Sequence, residues 1–120
     1  VHLPWLSPLL QHYRQWDISY SRGCNMAFWK EDLFRVNGYN ESLEMWGQED
    51  VEISYRLIHA GIQKKQLKMG GVQFHLYHKF ASRENLEYHE QVLRQVIEEK
   101  TIWCENGIVK EDKAYKENNG

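Results

Sequence analysis

The chain has 120 residues, 42% hydrophobic and 13% aromatic, with five Trp, seven Tyr and four Phe and a formal net charge of −2. That length supports one domain with a modest core, and its 15 Lys and Arg are scattered among 17 Asp and Glu, without the basic stripe that nucleic acid requires. No apolar run approaches the roughly 20 residues of a membrane span, and the N-terminus lacks the layout of a signal peptide.

The two cysteines, Cys24 and Cys104, have neither the spacing of a zinc site nor the density of a disulfide scaffold, so both are expected as reduced thiols. A cytoplasmic location is expected, with peripheral attachment to a membrane as the alternative. The start at Val1 rather than at a methionine is read as the mark of a piece of a longer protein.

Residues 1–21 mix Pro4 and Pro8 with Trp5, Leu6, Leu9, Leu10 and Trp16 and read as an irregular lead-in. The small and apolar run from 22 to 29 has the length and borders of a buried strand. Residues 30–37 suit a short helix, with Glu31 and Asp32 in its first turn and Gly38 ending it in a left-handed conformation. A second helix is predicted over 49–60, stopped by Gly61, with Glu52 and Arg56 spaced for a surface ion pair. Two strand candidates follow at 62–67 and 72–77, separated by Gly70-Gly71. A long helix then runs from Ser82 to about Trp103, with Leu86, Leu93, Val96 and Ile97 at helical spacing. The folded domain is expected over 22–104 and a disordered polar tail over 105–120. This order favours a mixed α/β layer, with α+β as the alternative.

The chemistry concentrates in Trp46-Gly47-Gln48-Glu49-Asp50-Val51-Glu52, where an aromatic ring, a glycine and three carboxylates meet at a loop-to-helix junction. Glycine permits backbone conformations closed to other residues. A carboxylate at such a junction can accept a proton from a hydroxyl within hydrogen-bond reach, and Trp46 offers a face for the apolar side of a sugar ring. The plain alternative is that Glu49 and Asp50 cap the helix and Trp46 is core. Asp50, however, falls among the apolar positions of the helix, where a carboxylate requires partners or a polar cavity.

His75 and His78 lie three apart near a strand end, so on an ideal strand their side chains face opposite sides and shared ligation needs a bend. His2, His12, His59 and His89 read as solvent-facing. Lys79 and Arg83 could reach a diphosphate, with surface solvation the simpler role. Asn25 could point into a sugar pocket or satisfy a backbone group.

Gly23 with Ala27-Phe28, Asp32, Phe34, Gly38-Tyr39-Asn40-Glu41, Trp46-Gly47-x-Glu49-Asp50-x-Glu52 and His75-Leu76-Tyr77-His78 together resemble the C-terminal region of galactosyltransferase-like enzymes. The likeness covers residues 22–85 and extends to bacterial chondroitin-polymerase-type modules and to polypeptide N-acetylgalactosaminyltransferases. It implies the C-terminal, acceptor-side half of a GT-A nucleotide-sugar transferase fold, with short strands, packed helices and a long last helix. The implied reaction is transfer of a hexose or N-acetylhexosamine from a UDP-sugar to a saccharide, in polysaccharide synthesis.

In beta-1,4-galactosyltransferases the matching segment reads Trp-Gly-Gly-Glu-Asp-Asp. By position it implies Trp46 as acceptor platform, Glu49 as acceptor ligand and Asp50 as catalytic base, with Gly47, Gln48 and Asn25 lining the acceptor site. Gln48 and Val51 depart from that pattern, replacing a glycine and an aspartate. The resemblance also implies His78, with His75 as a further candidate, as a ligand of Mn2+ or Mg2+ beside an Asp-x-Asp motif. No Asp-x-Asp occurs in these 120 residues, so metal and UDP are expected to be held weakly by this chain alone, and a donor-binding half is the expected partner. A non-catalytic saccharide-binding module and a homodimer remain the alternatives.

Overall fold

The computed structural model describes residues 3–10, 17–18, 21–68, 73–79 and 82–110. Four helices organise them: α1 at Ser7–Leu10, α2 at Lys30–Arg35, α3 at Glu49–His59 and α4 at Leu86–Glu99, with 3-10 turns at Pro4–Leu6 and Gly23–Asn25. None of the helices among the described residues is long and apolar enough to cross a membrane.

α2 stops in a Schellman arrangement, in which Asn37 N–H donates to Phe34 O and Gly38 N–H to Leu33 O. Both Asn37 (φ 63°) and Gly38 (φ 72°) are left-handed, so the stop expected at Gly38 begins one residue earlier, at an asparagine. α3 ends in the same way at Gly61 (φ 82°), with Gly61 N–H bonded to Ile58 O and Ile62 N–H to Leu57 O. This turn returns Ile62 to the core.

That core is small. Val36, Ile53, Leu57 and Ala60 are its buried members, with Met26, Phe28, Leu33 and Ile62 packed around them. α4 lies against α3 and buries Val96 and His89. Cys104 is a buried free thiol and Cys24 an exposed one.

Three expectations change. Residues 22–29, read as a buried strand, form the Gly23–Asn25 turn and then a run in which Ala27 and Trp29 are exposed. Residues 62–67 and the described part of the second candidate, 73–77, form no strand, and a single isolated bridge, Asn106↔Lys110, is the β pairing among the described residues. A strand needs a neighbour to take its backbone groups, and Phe74, Leu76 and Tyr77 stand exposed, Tyr77 by 93%. Phe74 and Leu76 alternate as in a strand while no described segment pairs with them.

The second change concerns Glu52 and Arg56, expected as a surface ion pair. They are 1% and 0% exposed. Arg56 reaches Glu52 through Nε and Nη2 at 2.7 and 2.8 Å, and donates to Val36 O at 2.6 Å and Gly38 O at 2.8 Å. The polar arc of α3 therefore faces the left-handed turn after α2, whose carbonyls need donors, rather than water.

The third change concerns the tail. Residues 105–110 are tied down: Asn37 Nδ2 donates to Cys104 O and Val109 O, its Oδ1 accepts from Val109 N–H, and Asn37 O accepts from Ile108 N–H. Glu41 N–H further donates to Asn106 O. A polar composition was compatible with a loose tail, but Asn37 supplies the partners that order its first part. The rest of the expected tail, 111–120, lies outside the described residues, as do His2, His12 and Trp16.

Candidate acceptor site

The junction that opens α3 is built from unusual backbone. Met45 (φ 73°), Gly47 (φ 126°) and Gln48 (φ 68°) all have positive φ. Gln48 occupies the N-cap position but makes no side-chain capping bond. Glu49 and Asp50 direct their carboxylates elsewhere too, away from the capping role. Glu49 Oε2 accepts from Gly47 N–H at 2.9 Å. Asp50 Oδ2 accepts from Gly23 N–H at 2.7 Å, and the Ser54 hydroxyl donates to Asp50 O at 2.7 Å.

Asp50 thus meets the sequence requirement for a partner through a backbone amide of the Gly23–Asn25 turn. That turn is bonded from its other side as well, since Gln73 Nε2 donates to Cys24 O. It stands between the carboxylates of α3 and the segment that carries the two histidines.

Trp46 is 46% exposed, a surface ring rather than core. The Arg83 guanidinium lies 4.5 Å from its centroid, a cation–π contact that assigns Arg83 to the Trp46 ring. Asn25 lines a groove of about 530 Å3 together with Arg22, Phe28, Trp29, Asp32 and Ser54. Trp46, Glu49 and Asp50 do not line that groove, so Asn25 and the carboxylates face different spaces. Gly47 is buried and Gln48 half-buried.

His75 and His78 stand with ring centroids 4.9 Å apart, closer than an ideal strand allows, because this segment is not a strand. His78 Nδ1 lies 2.9 Å from Lys79 O. A ring nitrogen facing a carbonyl must carry the proton, which leaves Nε2 with the lone pair, as a metal ligand needs. That much fits a divalent ion. No group of three His, Cys, Asp or Glu that could hold a metal occurs among the described residues, so oxygen ligands for Mn2+ or Mg2+ would come from elsewhere.

Two residues at the site escaped sequence reasoning. Burial, followed by the charges of Asp50 and Glu49, pushes the Tyr39 hydroxyl above its ordinary pKa. Tyr39 also meets Phe28 edge to face at 6.3 Å. His89, expected in solvent, is fully buried, and its Nδ1 donates to Gly47 O at 2.6 Å. Its spacing from Leu86, Leu93 and Val96 puts it on the apolar stripe of α4, a signal that was present in the sequence.

Over 83 aligned residues the chain is 32% identical to the chondroitin synthase of Pasteurella multocida (strain Pm70), covering 62% of this chain and 8% of that protein. The chain therefore spans less than a tenth of that relative. No solved structure matches it. Residues 10–79, which contain the Trp46 to Asp50 segment and both paired histidines, match the family described as the N-terminal domain of galactosyltransferase, and the chain belongs to that family.

Proposed function

We propose that these residues form the acceptor-side, catalytic-base half of a glycosyltransferase that moves a hexose or N-acetylhexosamine from a UDP-sugar to a saccharide. The observation that carries the proposal is the setting of Asp50. Its carboxylate is half-buried, oriented through Oδ2 by Gly23 N–H, and no hydrogen bond among the described residues engages Oδ1. An acceptor hydroxyl placed against Oδ1 would lose its proton to it as the hydroxyl oxygen attacks the anomeric carbon. Trp46 would support the apolar face of the acceptor ring, and Glu49, fixed by Gly47 N–H, would take an acceptor hydroxyl. Gly47 and Gln48 would shape the floor of this site, with Asn25 on the neighbouring groove.

The family description assigns the matched residues to an N-terminal domain. Placement in the C-terminal half of a GT-A α/β fold rests instead on motif order: Trp46 to Asp50 precedes His78, and no Asp-x-Asp occurs in the 120 residues. Under this reading the donor-binding half lies elsewhere in the polypeptide. His78, with His75, would contribute imidazole to a Mn2+ or Mg2+ ion that neutralises charge on the departing diphosphate. The enzyme would work in the cytoplasm, where UDP-sugars are the donors for polysaccharide synthesis.

The test is Asp50→Asn in the full polypeptide that carries this chain. Transfer from UDP-sugars to oligosaccharide acceptors should fall by about 10²–10⁴-fold, while UDP affinity by calorimetry stays near that of the wild type. Undiminished transfer would remove Asp50 from the base role. Saccharide binding without transfer by the wild-type polypeptide would favour a binding module instead.

A further inference from the structure

Gly47 is held through both of its backbone polar groups. Its N–H donates to Glu49 Oε2 at 2.9 Å within the same loop. Its carbonyl accepts from His89 Nδ1 at 2.6 Å, across 42 residues of sequence. α4 presses on it as well: a Cβ at position 47 would come within 2.9 Å of Leu86 Cδ1 and 3.7 Å of His89 Nδ1, at a φ of +126° that side chains rarely adopt. Leu86 and His89 lie three apart, on one face of α4. That face addresses the loop that carries Trp46 and leads into α3 at Glu49.

Packing alone does not account for a histidine here. With Nδ1 donating to Gly47 O, Nε2 bears the lone pair, and it is buried with no hydrogen-bond partner among the described residues. Burying an unmatched polar atom costs stability, and an apolar residue would fill the same space without that cost. What the imidazole adds is the directed bond to Gly47 O. Three positive φ values lie within the four residues 45–48, so a bond at Gly47 governs where Trp46 leaves the loop and where α3 begins.

We propose that His89 is a positioning residue for the acceptor loop, acting through Gly47 O on Trp46 and Glu49. The inference rests on the proposed acceptor role of that loop. α4 lies beyond the residues 10–79 that match the family, so this grip is supplied by sequence outside the matched segment.

Three variants of the full polypeptide test it. His89→Leu removes the donor and keeps the bulk. His89→Asn places an amide N–H where Nδ1 stands, and His89→Gln places one where Nε2 stands. His89→Leu should lower kcat/KM for the saccharide acceptor by about 10- to 100-fold, the range a misplaced binding group produces, through acceptor KM and with donor KM unchanged. Amide exchange at Gly47, Gln48 and Glu49 should become about tenfold faster, the factor that one hydrogen bond of typical net strength sets, relative to Ile53 and Leu57 in α3. His89→Asn should restore both readouts and His89→Gln neither.

A uniform rise in exchange that includes Ile53 and Leu57, with acceptor KM unmoved or no rescue by asparagine, would overturn the proposal and leave His89 as a core residue. If the wild-type polypeptide transfers no sugar, the proposed function fails. The exchange pattern then still decides whether His89 holds the loop.

Discussion

Two stretches of α3, one turn apart, carry the same residue type to opposite ends. Glu52 is closed off, matched by two nitrogens of Arg56 and surrounded by the turn whose carbonyls Arg56 also satisfies. Glu49 and Asp50 are half-buried and, among the described residues, each held by a single backbone N–H group, with lone pairs left over. A carboxylate with a cation and no access to solvent stabilises a fold. One that is oriented but under-satisfied at the surface can accept a proton from a ligand. Tyr39 joins the two regions: the preceding Gly38 O belongs to Arg56, while the charges of Asp50 and Glu49 add to the burial that raises the pKa of its own hydroxyl.

The largest effect should come from the buried stretch. Arg56→Met keeps much of the volume but strands Glu52 and leaves Val36 O and Gly38 O without their donor. A loss of about 3–5 kcal/mol is expected, as for other broken buried pairs, and is read from the midpoint of urea unfolding. A loss within the roughly 1 kcal/mol of a surface pair would return Glu52 and Arg56 to solvent and erase the contrast.

At the other stretch the expected change is smaller and of opposite sign. Gln48 holds φ 68°, a left-handed conformation that costs a non-glycine residue roughly 1–2 kcal/mol. Gln48→Gly relieves it, and the added freedom of glycine in the unfolded chain returns part of the gain. A net stabilisation of about 1 kcal/mol or less is expected, measured by thermal unfolding; destabilisation would mean that the Gln48 side chain contributes more than the strain removes.

The third effect is a pH slope. Tyr39 and Cys104 both have pKa values raised above their ordinary 10.0 and 9.0, in each case chiefly by burial, with the Arg56 charge drawing Cys104 partly back. A raised folded-state pKa contributes stability that is fully present below the ordinary value and lost as pH climbs through the folded one. Unfolding free energy should therefore decline from about pH 9 upward, first through Cys104 and then through Tyr39. In Tyr39→Phe the decline that begins near pH 10 should vanish while the Cys104 portion persists. An unchanged slope would mean that folding does not raise the Tyr39 pKa.

Much of the local structure could be read from the chain because it follows from nearest-neighbour rules. First-turn acids and Gly38 located α2, Gly61 and the Glu52 to Arg56 spacing located α3, and the 3.6-residue spacing of apolar residues located α4. The motif from Trp46 to Asp50 was found at the loop-to-helix junction where it stands, and Asp50 was singled out by its place among apolar positions. His89 lies on the apolar stripe of α4 and is buried there rather than solvent-facing as expected, so its place on the helix outweighs its lack of a partnered histidine.

What stayed hidden depends on contacts distant in sequence. Nothing within a few residues of Arg56 shows that two carbonyls 18 and 20 residues earlier need its protons. Asn37 looks like a turn residue until the chain returns at 104–110 and uses both ends of its amide. The alternation at 73–77 is a strand pattern that acquires a strand only if a neighbour arrives, since ladder bonds are made between segments and not within one. The sequence by itself thus determined the helices, their stops and the acidic junction, through local sterics and amphipathic period. Tertiary structure decided which acids are buried, which backbone group orients Asp50 and what grips Gly47, because those bonds exist only between parts of the chain that folding brings together.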